Sequence, residues 1–425
     1  MHYIWAHRMN GDGRHLVTNE GVDVDVLHTG SYNSDAGPDF FNAKLRIGDN
    51  VWCGNVEMHI KASDWMRHGH DRDKLYDSVI LHVVVEDDMT ICRTNGERIA
   101  QCVLPIPQEV QMLMQELLSQ PVGKLPCLDK LGQVAEEDLS QWLERMARER
   151  MYHKCLRIDS LRRMYADSWE EVCYITLARS LGFGLNSDAM ERLARCTPLK
   201  MLQKHSAQMV QIEALLFGQA GLLDADTARE DVYLRRLLSE YAFLKNKFAL
   251  TGMDASAWRM FRTRPQGFPH RRIATLARLI SGGFNLFSRI RECSEVDELR
   301  RLFEIELDGY WGEHFSFSHV SQVRAKALSR DSINSILINT VAPLLFSYGS
   351  YLKQEPQRRR AVELLHSLPA ECNNVVKTFT GVGMKIKDSL QSQAAMNLRR
   401  EYCEQHKCLK CQIGVDLLLS ALKQK

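Results

Sequence analysis

Residues 37–60 read GPDFFNAKLRIGDNVWCGNVEMHI and determine how the first part of the chain is expected to fold. Phe41 to Ile47 and Val51 to Ile60 are two candidate strands, and Gly48-Asp49-Asn50 between them has hairpin turn chemistry. The stretch therefore predicts two antiparallel strands joined by a short turn.

The segments on either side of this hairpin extend it into a small α/β unit. His2 to Met9 has the apolar spacing of a helix, and Val22 to Val26 alternates as a half-buried strand does. Ser63-Asp64-Trp65 is a helix cap and start, and Val79 to Val85 is a continuous apolar run typical of a strand buried on both faces. The predicted order is helix, three strands, helix, strand.

A change of pattern near Leu104-Pro105-Ile106-Pro107 marks a predicted domain boundary, because two prolines two residues apart favour an extended linker. Beyond it, apolar residues recur with helical spacing, as in Glu136 to Ala166 and Asp231 to Phe248. We expect an α/β domain over residues 1–107, a large all-α region over 108–400 and a cysteine-containing helical tail over 401–425.

Two carboxylates in the first domain are candidates for a metal site. Asp39 precedes the first strand of the hairpin, and Glu57 lies on the second, so the two acids are expected to meet and could hold Mg²⁺. His59 and Lys61 follow Glu57 at two-residue steps and therefore share its face of the strand. Either could supply a proton or a charge to the site.

Asp39, Glu57 and the order of elements resemble the PD-(D/E)XK nuclease superfamily, with His59 where that family has lysine. The resemblance implies that the two acids bind Mg²⁺ or Mn²⁺, which activates water to attack a phosphodiester bond in DNA. His59 or Lys61 would be the assisting group. Because the lysine is replaced, the alternative is an inactive nuclease-fold scaffold that binds nucleic acid or protein.

Histidines are dense in the same domain and suggest another kind of metal site. His68 and His70 form a His-x-His pair, Asp73 follows, and His82 lies in the apolar run. His-x-His can bind zinc, with Glu57, His59 or His82 completing the site, which leaves open a zinc-dependent hydrolase. Otherwise these residues are expected to contact the metal ligands without binding the metal, or to contact the phosphate of the substrate.

An arginine-rich loop in the helical region is a candidate nucleic-acid contact. Arg262, Arg264, Arg271 and Arg272 alternate with aromatic residues, a mixture that can bind phosphates and stack on bases. The competing interpretation is that the aromatic side chains anchor the loop and the arginines pair with acidic helices.

The C-terminal segment holds Cys403, Cys408 and Cys411, a C-x4-C-x2-C pattern. Thiolates this close suit zinc or an iron–sulfur cluster, and the spacing also occurs in plant-type ferredoxins. A fourth ligand is needed, for which His406, Cys372 and Cys293 are candidates. The alternative is that the cysteines pack as small apolar residues.

Composition limits the classes of protein but names no chemistry. Of 425 residues, 45% are hydrophobic and 25% charged, and 55 basic residues nearly balance 53 acidic ones. DNA binding must therefore come from a local surface. Twelve irregularly spaced cysteines, no signal peptide and no long apolar run predict a cytoplasmic protein without a membrane segment. Oligomeric state stays open.

Taken end to end, the chain also resembles a bacterial family, known mainly from Bacteroidetes and catalogued as domain of unknown function 2851. The resemblance rests on strings such as Ala36-Gly37-Pro38-Asp39-Phe40, the Glu213 to Leu223 segment and the Cys403 to Gly414 tail. It implies the extent of the domains and no activity.

Overall fold

The computed structural model describes residues 1–9, 15–119, 125, 127–260, 267–320 and 328–423. The chain divides into two compact units. The first comprises Met1–Arg145, Lys377–Lys385 and Ala395–Lys425, and the second comprises Met146–Val376 and Ile386–Ala394. The first unit thus continues past the predicted boundary at residue 107, and it includes the C-terminal segment.

A mixed β-sheet forms the centre of the first unit. Its strands are β1 (His15–Val17), β2 (Asp23–His28), β3 (Ser31–Tyr32), β4 (Phe40–Ile47), β5 (Asn50–Lys61), β6 (Val79–Glu86) and β7 (Gln101–Val103). The spatial order is β1-β2-β4-β5-β6-β7, and β3 pairs with the start of β4. Strand β4 is antiparallel to both of its neighbours, β2 and β5, whereas β5, β6 and β7 are parallel.

The β4–β5 hairpin has the predicted place and a tighter turn than predicted. Ile47 pairs with Asn50, so that only Gly48 and Asp49 form the loop. Gly48 has φ +57°, the left-handed value that a two-residue turn with glycine in its first position requires. The turn fixes the register from Ile47 to Ala43, and a β-bulge between Ala43 and Phe40 then shifts it by one residue, so the bulge sets the relative positions of Asp39 and Glu57.

Strand β6 is buried along most of its length, as its unbroken apolar sequence predicts. The connection from β5 to this parallel neighbour runs through the short helix α2 (Asp64–Arg67) and two 3₁₀ turns, His70–Arg72 and Lys74–Tyr76. The register places Glu57 beside His82. The crossover therefore returns a histidine-rich segment to the end of the strand that carries Glu57.

The hydrophobic core of the first unit draws on both ends of the chain. Phe40, Leu45 and Leu81 from the sheet are fully buried, and Val415 and Leu418 of the C-terminal helix belong to the same core. The C-terminal segment is thus a packed part of the first unit.

The α-helices of the described residues are α1 (His2–Ala6), α2 as given above, α3 (Gln108–Ser119), α4 (Glu136–Met164), α5 (Trp169–Leu181), α6 (Ser187–Cys196), α7 (Leu199–Gln203), α8 (Met209–Gln219), α9 (Val232–Phe248), α10 (Pro269–Ile280), α11 (Leu286–Glu292), α12 (Val296–Arg301), α13 (Tyr310–Glu313), α14 (Arg330–Ile336), α15 (Ala342–Tyr351), α16 (Glu355–Ser367), α17 (Asn374–Gly381), α18 (Ser389–Asn397) and α19 (Gln412–Lys423). A π-helical turn, Leu337–Val341, joins α14 to α15, and another, Leu398–Cys403, follows α18. A small hairpin of β8 (His314–Ser316) and β9 (His319–Val320) interrupts the helices.

The second unit is built almost wholly from helices around one core. Helices α5 and α8 are buried on nearly all sides, which explains why their sequences are apolar with little periodicity. The expectation of an N-terminal mixed-sheet region followed by a mostly helical part is confirmed. Within the described ranges, no helix is both long and apolar enough to cross a membrane.

Candidate functional site

Two carboxylates are tied together at the junction of β4 and β5. The backbone N–H of Asp39 donates to Glu57 Oε2 at 3.0 Å, and the backbone N–H of Met58 donates to Asp39 Oδ2 at 3.0 Å. His2 of α1 adds a contact, with Nε2 3.0 Å from Asp39 Oδ2. Each acid is therefore held by the backbone of the other's strand, as the hairpin predicts.

Two histidines, one from β5 and one from the crossover, reach Glu57, and a third joins them. His59 Nε2 and His70 Nε2 each lie 3.5 Å from Glu57 Oε1, and His59 Nε2 lies 3.1 Å from His68 Nδ1. One ring nitrogen from each of His59, His68 and His70 falls within 4.8 Å of the other two. The sequence predicted this proximity only in outline, because the fold of the loop between β5 and β6 decides it.

His82 lies behind His59 and is fully buried on β6. Its Nε2 is 2.8 Å from His59 Nδ1, and its Nδ1 has no hydrogen-bond partner. A hydrogen bond at Nδ1 of His59 fixes the orientation of that ring and leaves its Nε2 directed at Glu57 and His68. His82 is therefore placed to orient the His59 ring.

Burial dominates the electrostatics of the site. It raises the pKa of the Glu57 carboxyl, an effect that the hydrogen bond from His70 opposes. Burial, followed by the nearby His70 and His68, lowers the pKa of His59 to about 4, and burial lowers the pKa of His82 to about 3. Both rings are neutral at pH 7, so His59 does not provide the positive charge of a lysine.

The donor atoms fit a divalent metal ion. Glu57 Oε1 lies 3.5 Å from His59 Nε2 and from His70 Nε2, and His59 Nε2 lies 3.1 Å from His68 Nδ1. The donors that all lie within 4.8 Å of one another are those of the three histidines, without Glu57. Ligands bound at about 2.0–2.2 Å to one ion lie roughly this far apart. Three imidazoles beside carboxylates favour transition metals such as Mn²⁺, Fe²⁺ or Zn²⁺ over Mg²⁺, which prefers oxygen.

The site is open on one side and closed on the other. Glu57, His59 and His70 are buried, whereas Asp39 is partly accessible and His68 is exposed. His70 stacks on Tyr76 with ring centroids 3.7 Å apart, which ties together the two 3₁₀ turns of the crossover. A substrate could therefore approach from the edge formed by Asp39 and His68.

Lys61 is placed away from this cluster. Its Nζ lies 3.0 Å from Glu86 Oε2 on the neighbouring strand, and both side chains are about half exposed. The charges that act on it are those of Glu86, Asp88 and Asp64. The structure therefore gives no support to Lys61 as the group that replaces the missing lysine.

Asp73 and the arginines occupy other roles or other places. Asp73 accepts from the backbone N–H of Leu75 at 2.9 Å and so caps a 3₁₀ turn. Arg271 and Arg272 are buried on α10, and Arg272 lies over the ring of Phe183 at 4.4 Å. Neither presents an exposed guanidinium to a nucleic acid. Arg262 and Arg264 lie outside the described residues.

The C-terminal cysteines meet a fourth thiol that the sequence did not single out. Cys403, Cys408 and Cys411 line a small cavity together with Cys127, which precedes the 3₁₀ turn Leu128–Gln133. His406, Cys293 and Cys372 do not line it. Cys127 lies 276 residues before Cys403 (403 − 127), and no local pattern marks it.

Sequence reasoning also missed His2, which carries no motif and reaches Asp39 only because α1 packs beside the start of β4.

Comparison with known proteins adds one match. The model of a family described as "Protein of unknown function (DUF2851)" matches residues 1–374. No curated protein and no solved structure gives a significant match.

Proposed function

The chain belongs to this family of unknown function, and from the geometry of its own site we propose that the protein is a metal-dependent nuclease acting on DNA. The observation that carries the proposal is the cluster of His59, His68 and His70, with Glu57 beside two of these rings and Asp39 held next to it at the start of the adjacent strand.

The topology around the site supports phosphodiester hydrolysis in particular. An acid at the start of β4, a second acid on β5, an antiparallel β2-β4-β5 meander and a parallel β6 are the arrangement that the PD-(D/E)XK resemblance implies. We assign Asp39 and Glu57 as metal ligands in this arrangement. His59 then serves as a further ligand or a neutral hydrogen-bonding group.

The donor set points to Mn²⁺ or another divalent transition metal as the cofactor. Glu57, His59, His68 and His70 would hold the ion, with Asp39 completing the oxygen donors. A bound cation of this kind polarises a phosphate and lowers the pKa of a coordinated water. The chain's own contribution is to fix the ligands: His82 orients His59, Tyr76 supports His70, and His2 contacts Asp39.

The decisive experiment measures cleavage of labelled single- and double-stranded DNA by the purified full chain with Mn²⁺, Zn²⁺, Fe²⁺ or Mg²⁺. We expect activity with a transition metal, its loss in Asp39→Ala, and its retention in the control Glu86→Gln. Glu86 is an exposed acid on the neighbouring strand that is paired with Lys61. Equal cleavage by wild type and Asp39→Ala would reject the proposal. Metal binding without cleavage of any nucleic acid would instead favour the scaffold function.

A zinc-dependent hydrolase with another substrate is a second candidate, and the three imidazoles favour it. Nitrophenyl substrates distinguish the two, because a phosphodiester and a carboxylic ester report different chemistry through the same leaving group. Zinc-dependent ester cleavage that is lost in His70→Ala, without phosphodiester cleavage, would select the second candidate.

A further inference from the structure

The small cavity in the first unit is lined by four free thiols. Cys127, Cys403, Cys408 and Cys411 surround about 20 Å³ of space beside Leu117, Tyr402 and Gly414. A space of this size admits at least a water molecule. Small apolar residues that pack against one another would fill such a gap, whereas these sulfur atoms leave it open.

The four thiols come from separate segments that the fold brings together. Cys403 ends a π-helical turn, Cys408 begins a 3₁₀ turn, and Cys411 precedes α19. Cys127 is distant from these three in the sequence and lies just before the turn Leu128–Gln133. Burial, and after it the neighbouring Cys411 and Cys408, raise the pKa of the Cys127 thiol to about 12.

The segment that carries the last two cysteines is built for close approach. A Cβ atom at Gly414 would collide with the carbonyl oxygen of Cys408. Glycine at this position lets the first turn of α19 fold directly against the loop that carries Cys408. The backbone N–H groups of Ile413 and Gly414 thereby point at the sulfur of Cys411.

A buried indole gives an independent indication of a ligand. Trp142 is 4% exposed, and its Nε1 has no conventional hydrogen-bond partner. The indole lies close enough to Cys411 to lower the pKa of that thiol, and its ring packs edge-on against Tyr402 at 5.3 Å. N–H groups aimed at cysteine sulfur stabilise the thiolate and tune the potential of metal–sulfur centres.

The spacing of the sulfur atoms distinguishes between two kinds of centre. Four thiolates around one zinc ion at about 2.3 Å lie roughly 3.8 Å from one another. Among the described residues, no three of these thiols lie within 4.8 Å of each other. The wider arrangement suits ligands that each bind a different iron at the periphery of a cluster.

We propose that Cys127, Cys403, Cys408 and Cys411 ligate an iron–sulfur cluster. Four cysteines are the usual ligand set of a [4Fe–4S] cluster, in which each cysteine binds a different iron. Each thiol releases its proton when it binds iron, and the iron and sulfide enter as the assembled cluster. The site is separate from the Glu57 centre and does not depend on the nuclease proposal.

The test is metal and sulfide analysis of the full chain purified without oxygen, and again after reconstitution with ferrous iron and sulfide. We expect iron and acid-labile sulfide in equal amounts, with the visible absorption of thiolate-bound iron. Cys127→Ser should lose both to the same extent as Cys403→Ser. Cys53→Ser, at an exposed cysteine on β5, should retain both.

The outcomes separate the alternatives even where a variant folds poorly. Wild-type protein with one zinc and no sulfide, or without metal after reconstitution, would overturn the proposal. So would Cys127→Ser protein that keeps the iron of the wild type. Circular dichroism measures the helix content of each variant. Loss of the cluster from Cys127→Ser protein that keeps its helix content supports ligation by Cys127.

Discussion

The backbone N–H of Asp39 donates to Glu57 Oε2 at 3.0 Å, so the carboxylate of Glu57 anchors the backbone of Asp39. Glu57 consequently has two roles, as a proposed metal ligand and as the acceptor that joins the start of β4 to β5. The two roles are separable by substitution, because an amide oxygen can accept the same hydrogen bond without carrying a charge.

We expect Glu57→Gln to keep the hydrogen bond and lose metal binding, and Glu57→Ala to lose both. The loss of a buried acceptor in Glu57→Ala should lower the free energy of unfolding by about 1–3 kcal/mol. Denaturant unfolding and Mn²⁺ titration of both variants measure the two effects. Equal Mn²⁺ affinity in wild type and Glu57→Gln would remove Glu57 from the ligand set.

His82→Leu should weaken metal binding without removing a ligand. The substitution leaves His59 Nδ1 without the partner that now lies 2.8 Å away, so the ring loses its fixed orientation. Loss of such supporting contacts typically costs about 10- to 100-fold in affinity. His205→Leu, at another buried histidine, is the matched control and should bind metal as the wild type does. Unchanged affinity in His82→Leu would mean that His82 only fills space.

Lys61→Met should leave both metal binding and DNA cleavage unchanged. The ammonium group lies 3.0 Å from Glu86 and is half exposed, and it does not contact Glu57 or the histidines. Steady-state cleavage rates compared with those of His59→Ala check this expectation. A rate that falls as far in Lys61→Met as in His59→Ala would restore Lys61 as the assisting cation.

Gly54→Ala should destabilise the sheet that holds the site. A Cβ atom at this position of β5 would lie 2.9 Å from the carbonyl oxygen of Ser78 and still closer to Ile80. Overpacking of this kind typically costs about 1–3 kcal/mol. Gly132→Ala is the control, since no atom lies within 4 Å of its added Cβ. Denaturant unfolding of the two variants gives the comparison, and equal stability would show that β5 and β6 can separate slightly.

Glu213 predicts a pH dependence of stability in the second unit. Burial raises the pKa of this 1%-exposed carboxyl from 4.5 to about 7, although the Tyr233 hydroxyl donates to it. The folded state binds this proton more tightly than the unfolded state does, so protonated Glu213 stabilises the fold. Its contribution to the free energy of unfolding is fully present below pH 4.5 and is lost as the pH rises through 7. The loss amounts to about 3 kcal/mol.

Glu213→Gln should therefore be less dependent on pH than the wild type over this interval. The difference in unfolding free energy between the two proteins, measured in urea from pH 4 to 8, isolates the contribution of one carboxyl. Glu230→Gln, at an exposed position, should follow the wild type. Parallel curves for wild type and Glu213→Gln would show that Glu213 is charged in the folded protein at neutral pH.

Periodicity and turn chemistry were sufficient to predict the central elements. The hairpin of β4 and β5, the buried β6 and helices such as α5 lie where the sequence places them, because their apolar patterns and breakers are local. Strands β1, β3 and β7 were not predicted. They are only two or three residues long, which is too short for an alternating pattern to appear in their sequences.

In the candidate site, too, some features were predictable from local patterns in the sequence and others were not. Asp39 and Glu57 were predicted to meet because one tight turn joins their strands, but the bulge between Ala43 and Phe40 that sets their final register was not predicted. The orientation of Lys61 toward Glu86 was not predictable, because strand alternation fixes the face of a residue but not the neighbour with which a long side chain pairs.

The sequence by itself determined the sheet-then-helix order, the pairing of Asp39 with Glu57 and the presence of a thiol-rich tail. These features depend on residues close together in the chain. Only the tertiary structure decided that His68 and His70 return to Glu57, that His82 supports His59, and that Cys127 joins the three C-terminal cysteines. The physical reason is that packing of the crossover on β5 and of α19 on the sheet core closes long loops, and that closure leaves no local pattern in the residues it brings together.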